Sequence, residues 1–156
     1  MEESSPLSIG KMRAFNGNSL ILLRAYTYIR CLGREGVRKN TEIAILNANY
    51  LRVKLREAYQ LAIDEVCMHE CIFMAAKQKP YGVKTLDIAK RMLDFGYHPP
   101  TIYFPLPAVT HGAGALMIEP TETETPETLD AFADAMLAIA EEARTDPELV
   151  HSAPHL

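Results

Sequence analysis

The sequence predicts an α+β fold, with helices packed on a mostly antiparallel sheet, and three observations lead there. Apolar residues recur at helical spacing in four long stretches, beginning near residues 19, 37, 85 and 125. Between the second and third, over residues 59–76, the helical period is lost and two runs that read as strands take its place. Two further extended pieces, near residues 101–104 and 115–118, are too short for helices, and the first is preceded by prolines.

Each element has a local cause. In "FNGN", Phe15 to Asn18, the turn chemistry ends in an asparagine able to cap a following helix. Residues 19–32 carry Leu22, Tyr26 and Ile29 at helical spacing and are apolar almost all round, which predicts a well-buried helix. Gly33 and Gly36 are expected to break it. A second helix is predicted over about 37–57, with Ile43, Leu46, Tyr50, Leu51 and Leu55 on one face. "YQLAI" and "CMHECIFMAA" read as strands, with Asp64 and Glu65 in the turn between them. A third helix runs from Thr85 to a stop at Gly96. His98 and Pro99 precede prolines and are held extended, and Thr101 to Phe104 can then pair. Ala115 to Ile118 reads as a short strand. The fourth helix starts with Thr125 as N-cap, Pro126 in the first position and Glu127 in the first turn, and carries Leu129, Phe132, Met136 and Ile139. Asp146 caps a last short helix.

At 156 residues the chain is the length of one ordinary domain. Its 48% hydrophobic content sets it apart from disordered sequences. A formal net charge of -4 with scattered Lys and Arg argues against nucleic acid as a partner, and no apolar run is long enough to span a membrane. "MEESSPLS" lacks the apolar stretch of a signal peptide. Cys31, Cys67 and Cys71 are odd in number and lack disulfide-framework spacing, so reduced thiols and a cytoplasmic location are expected.

Candidate chemistry is sparse. On a strand, Cys67, His69 and Cys71 would share one face, with His98 or His111 as a fourth zinc ligand. Structural zinc sites draw paired cysteines from tight turns, so two buried thiols beside a hydrogen-bonded histidine is the preferred reading, and no metal is assigned. "NGN" opening a helix, with Lys11 and Arg13 upstream, is either an ordinary cap or an anion site. No nucleophile elbow, P-loop, dinucleotide fingerprint or zincin motif is present, and no lysine has the flanks of a Schiff-base residue. "EPTETE", Glu119 to Glu124, places three acids within six residues, which requires solvent, bases or a ligand around them.

Read together, "GYHPPTIYFP", "ALMIEPTETE" and "TLDAFADAMLAIAEEA" resemble the C-terminal part of glycine decarboxylase, the P-protein of the glycine cleavage system. "IGKMRAFNGN", "LRAYTYIR", "LNANYL", "CMHE" and "TLDIAKRMLDFG" fit the same pattern in the same order, best in the second subunit of the two-subunit bacterial form. The resemblance implies a pyridoxal-phosphate enzyme of the aspartate-aminotransferase-like fold (fold type I). Such an enzyme decarboxylates glycine and passes the aminomethyl group to the lipoyl arm of the H-protein. The chain would supply the small C-terminal domain, as a fragment, a truncated product or a split subunit. The family's Schiff-base lysine lies in a His-Lys motif of a large domain that this sequence does not contain, so no catalytic residue is assigned and inactivity alone is expected. The implied layout is a flexible N-terminus at 1–9, a helix over 10–36 leading to that large domain, and the α+β domain over 37–156.

The same resemblance implies that Phe15, Asn16, Gly17 and Asn18 approach the cofactor phosphate, and that His69, Glu70, His98, Thr101, Glu119, Thr121, Glu122 and Thr123 lie near the cofactor cleft. Implied partners are the first P-protein subunit, the large domain and the lipoyl H-protein, with self-association of the chain alone. One departure stands out: "PAVTHGAG", Pro107 to Gly114, looks lengthened. A non-catalytic assembly module, metal-binding through Cys67, His69 and Cys71, is the alternative.

Overall fold

The computed structural model describes Leu7, residues 17–102 and residues 114–155. The chain divides into two units, Met1–Lys39 and Asn40–Leu156. Helix α1 (Ser19–Leu55) crosses that boundary. Its backbone leaves helical geometry at Gly33, where φ is 65° and ψ is -179°. This positive φ is open to glycine and strained for other residues. Gly36, expected to break the helix as well, stays within it.

In the first unit, burial of residues 19–32 is overturned. Leu20 is 71% exposed, Leu22 60%, Tyr26 62% and Ile29 55%. Among the described residues of this unit α1 is the only helix or strand, so no second element offers an apolar surface for its side chains to pack on.

In the second unit, α1 buries Asn47, Ala48, Leu51 and Leu55, a stripe at helical spacing. Leu46 and Tyr50, expected on that face, are exposed. Past the helix end, Lys77 Nζ donates to the carbonyls of Arg56 (3.0 Å) and Glu57 (2.8 Å), a cation where the helix dipole is negative. Strands β1 (Gln60–Leu61), β2 (Cys71–Met74) and β3 (Leu116–Ile118) form an antiparallel sheet in that order. Phe73 stands opposite Leu61 on one side and Leu116 on the other. Along β2, Cys71 and Phe73 are buried while Ile72 and Met74 are half-buried, as one covered sheet face requires. Thr101 bridges Met117 beyond β3, and Ala115 N donates to Ile102 O at 2.8 Å. Gly114 lies here with φ of 77°, and a Cβ on it would meet Ile102 O at 2.9 Å. Tyr103, Phe104 and residues 107–113 of the Pro107–Gly114 stretch, His111 among them, lie outside the described residues.

Among the described residues of this unit, the remaining elements are a 3-10 turn (Lys79–Tyr81) and three α-helices: α2 (Thr85–Asp94), α3 (Pro126–Thr145) and α4 (Pro147–His151). At the start of α2, Asp87 accepts from Lys84 N at 2.9 Å. As expected, Thr125 caps α3, its side chain accepting from Thr128 N at 3.3 Å, and Pro126 opens the helix. Asp146 occupies the N-cap position of α4, although its side chain makes no capping bond. The sheet's Phe73 and Leu116 meet Leu51, Ile88, Met92 and Met136 of the helices in one core. Tyr59 packs edge-on to Phe73 and donates its hydroxyl to Met136 O at 2.8 Å. These elements are α+β, as the sequence predicts.

The strands are shorter than expected. "YQLAI" contributes only β1, and "CMHE" is irregular chain leading into β2. The cause is on α1: Asn49 Oδ1 accepts from Cys67 N (3.1 Å) and its Nδ2 donates to Cys67 O (2.7 Å). A side chain thus takes the backbone groups that a strand would have paired with a neighbouring strand. Cys67, His69 and Cys71 therefore do not alternate along one strand face, because only Cys71 lies in β2.

Candidate functional site

A cleft of about 750 Å³ opens in the second unit. Its floor is apolar, from Leu51 of α1, Met92 of α2, and Leu129 and Phe132 of α3. One wall is the extended Tyr97–Thr101 segment, which the two prolines keep out of helix. Tyr97 is fixed by an edge-to-face contact with Phe132, at 5.2 Å and 88°. Joined to this segment through the Thr101–Met117 bridge, Met117 to Pro120 continues the wall from the end of β3, and the first turns of α3 close the cleft.

The polar lining is one-sided. Glu119, Glu124 and Glu127 face the cleft, His98 is its sole basic side chain, and the lining contains neither Lys nor Arg. Hydrogen bonds with its own backbone N–H and with the Thr125 side chain hold the Glu127 carboxyl below its ordinary value, so it is charged at neutral pH. Beside the cleft, Asp130 accepts from Lys54 and Tyr50. That contact raises the Lys54 value, through the Asp130 hydrogen bond first, and lowers that of Asp130.

The structure brings His98, Thr101 and Glu119 together in this cleft. His69 Nε2 stands 3.5 Å from Glu119 Oε1, with both side chains more than half exposed. Thr121 and Thr123 do not line the cleft: their hydroxyls bond each other at 2.7 Å. Glu122 and Glu70 are also outside its lining. Gly17 and Asn18 belong to the first unit, where Asn18 O accepts from Leu22 N at 3.2 Å as the α1 start, while Phe15 and Asn16 lie outside the described residues.

Two residues of the site were not singled out from the sequence. Asn47, 7% exposed, donates from Nδ2 to Thr121 O (2.9 Å) and Glu124 O (3.4 Å), and Asn49 holds Cys67. The signal was present: two asparagines, poor residues for a helix interior, lie two positions apart in "LNANYL".

Among the described residues, no three His, Cys, Asp or Glu are grouped so as to hold a metal ion. Burial pushes the Cys71 thiol up to about 12 and also raises that of Cys67, which keeps both protonated at neutral pH.

An antiparallel three-stranded sheet backed by helices, with an acidic, apolar-floored cleft at the end of β3, defines an α+β domain able to take a small ligand. The chain belongs to the glycine dehydrogenase C-terminal domain family, which matches residues 40–153. It is similar to several bacterial proteins, each named probable glycine dehydrogenase (decarboxylating) subunit 2. The protein of Caldanaerobacter subterraneus subsp. tengcongensis is 52% identical over 155 residues, 99% of this chain and 31% of the relative. That of Staphylococcus haemolyticus is 57% identical over 148 residues, covering 95% and 29%. That of Chlorobaculum tepidum is 56% identical over 155 residues, covering 99% and 31%. The chain thus spans just under a third of the length of these relatives.

Proposed function

We propose that this chain is the C-terminal part of a glycine decarboxylase second subunit. In the complete enzyme, glycine is decarboxylated with pyridoxal phosphate and its aminomethyl group passes to the lipoyl arm of the H-protein. The observation that carries this reading is the match of nearly the whole chain, at 52–57% identity, to relatives bearing that subunit's name. On this reading the fold is that of the small domain of a fold-type I enzyme. Residues 10–36 lead into the large domain, and the first subunit is the partner.

The described cleft does not suit the cofactor itself. Pyridoxal phosphate brings a doubly charged phosphate and needs a lysine for its aldehyde, whereas the cleft lining offers three glutamates and no Lys or Arg. The cofactor therefore lies outside this cleft, with Phe15 to Asn18 as this chain's approach to its phosphate, and the cleft contributes one wall of the substrate's surroundings. Anionic side chains along such a wall favour an amine or ammonium group over a carboxylate. Glu119, with His69 beside it and His98 and Thr101 in the same cleft lining, is the group best placed for that role. The exposed apolar residues of α1, Leu20 to Ile29, supply a surface for assembly with the large domain and also support the alternative reading as an assembly module.

The test is made in a complete two-subunit enzyme carrying this sequence. Glu119→Gln should lower glycine turnover and leave the melting temperature nearly unchanged, whereas Thr121→Ala, whose hydroxyl meets Thr123 outside the cleft, should have the smaller effect. Unchanged turnover in the Glu119 variant would return the loop to a solvated connection. The 156-residue chain alone should not decarboxylate glycine. Pyridoxal phosphate fixed by borohydride to one specific lysine of the isolated chain would overturn that expectation.

A further inference from the structure

On the reading of the cleft given above, we propose that Asn47 and Asn49 are its positioning residues, fastening the two loops that carry Glu119 and His69 to helix α1. Neither asparagine lines the cleft, so each acts through a loop. Asn47 sits buried on α1 and reaches 74 residues along the chain to donate to Thr121 O, with a longer contact to Glu124 O. The two carbonyls it meets bracket a turn closed by Glu124 N donating to Thr121 O at 3.3 Å. This turn joins Glu119 to the start of α3 and places Glu124 in the cleft.

One helical step of two residues along, Asn49 uses both ends of its amide, accepting from Cys67 N and donating to Cys67 O. It also donates to Ile45 O at 2.9 Å, one turn back, which fixes its orientation. Two residues beyond Cys67, His69 meets Glu119 at 3.5 Å. The contacts close a circuit: α1 to Cys67, His69 to Glu119, the Thr121–Glu124 turn, and back to α1 through Asn47. An exposed pair such as His69–Glu119 contributes little by itself. Its geometry is set by the amide anchors behind it.

The chemistry requires asparagine at both positions. A carboxylate at 47 would set a negative acceptor against two carbonyl oxygens, and at 49 it could not donate to Cys67 O. Alanine at either would take the helix's side-chain donor away from the loop carbonyls.

The test follows amide hydrogen exchange by mass spectrometry in the complete two-subunit enzyme, with glycine kinetics on the same samples. Asn47→Ala and Asn47→Asp should speed exchange in residues 119–125 by about tenfold, the scale of one lost hydrogen bond, while β2 and α2 keep their protection. Asn49→Ala should do the same for residues 66–70 and spare 119–125. The Asn47 variants should raise KM for glycine more than they lower kcat. Unchanged loop exchange, or faster exchange spread evenly over the unit, overturns the positioning role whatever the kinetics. Local loop exchange with unaltered kinetics upholds the anchoring and overturns the reading that this cleft serves glycine turnover.

Discussion

Leu22 and Leu55 are the same residue type on the same helix, yet Leu22 is 60% exposed and Leu55 is fully buried. The stretch around Leu22 is the more apolar by sequence: Leu20 to Leu23 is an unbroken run, whereas Leu55 lies among Arg52, Lys54, Arg56 and Glu57. Apolar content measures how much a segment would gain from burial. Whether it is buried depends on an opposing surface. Near Leu55 the sheet and two further helices supply one. Around residues 19–32 the described part of the first unit supplies none.

The largest effect expected from this contrast is at the buried leucine. Leu55→Ala should cost about 2–5 kcal/mol in urea unfolding, through lost transfer energy and a residual cavity. A small loss would mean that the core around α1 collapses to fill the gap.

A second measurement asks how far the second unit also depends on polar contacts. Arg91 grips Glu142 through two bonds of 2.9 Å and Asp94 through one of 2.7 Å, and Asp94 accepts from the backbone N–H of His155 at 2.7 Å. Burial alone would raise the Asp94 carboxyl. Bonds from the His155 backbone, Arg91 and the His155 ring outweigh it and hold the group at about 2. Its folded value lies below the ordinary 3.8, so its contribution to stability is complete above that pH and is lost as pH falls through about 2. Asp94→Asn should lower the melting temperature at neutral pH and flatten its fall in acid. An acid profile identical to that of the unmodified chain would remove Asp94 from the account.

A smaller effect belongs to the cap of α3. Thr125→Ala should cost about 1 kcal/mol, read in the same urea titration, and leave glycine turnover in the complete enzyme unchanged. A fall in turnover without loss of stability would move Thr125 from the helix start into the cleft.

The smallest effect on stability is at the other end of α1. Leu22→Ala should change unfolding by no more than about 0.5 kcal/mol. Leu22→Ser should nevertheless reduce self-association of the isolated chain and its binding of an apolar-surface dye, both followed against concentration. A loss at Leu22 matching that at Leu55 would show that residues 19–32 are packed, and the contrast would fail.

The sequence by itself determined the α+β class, the helix start at Thr125–Pro126 and the family, because periodicity, capping and long motifs act through neighbouring residues. Three features were decided only by the tertiary structure. Burial of an apolar helix needs a partner surface, and local spacing does not report whether one exists. The conformation of "CMHE" turned on Asn49, whose amide satisfies Cys67 from 18 residues away and leaves the strand to begin only at Cys71. The acidic loop was placed by Asn47 across 74 residues. Two asparagines in a helix were visible as an oddity, but a hydrogen bond between distant segments exists only once packing has brought donor and acceptor within about 3 Å.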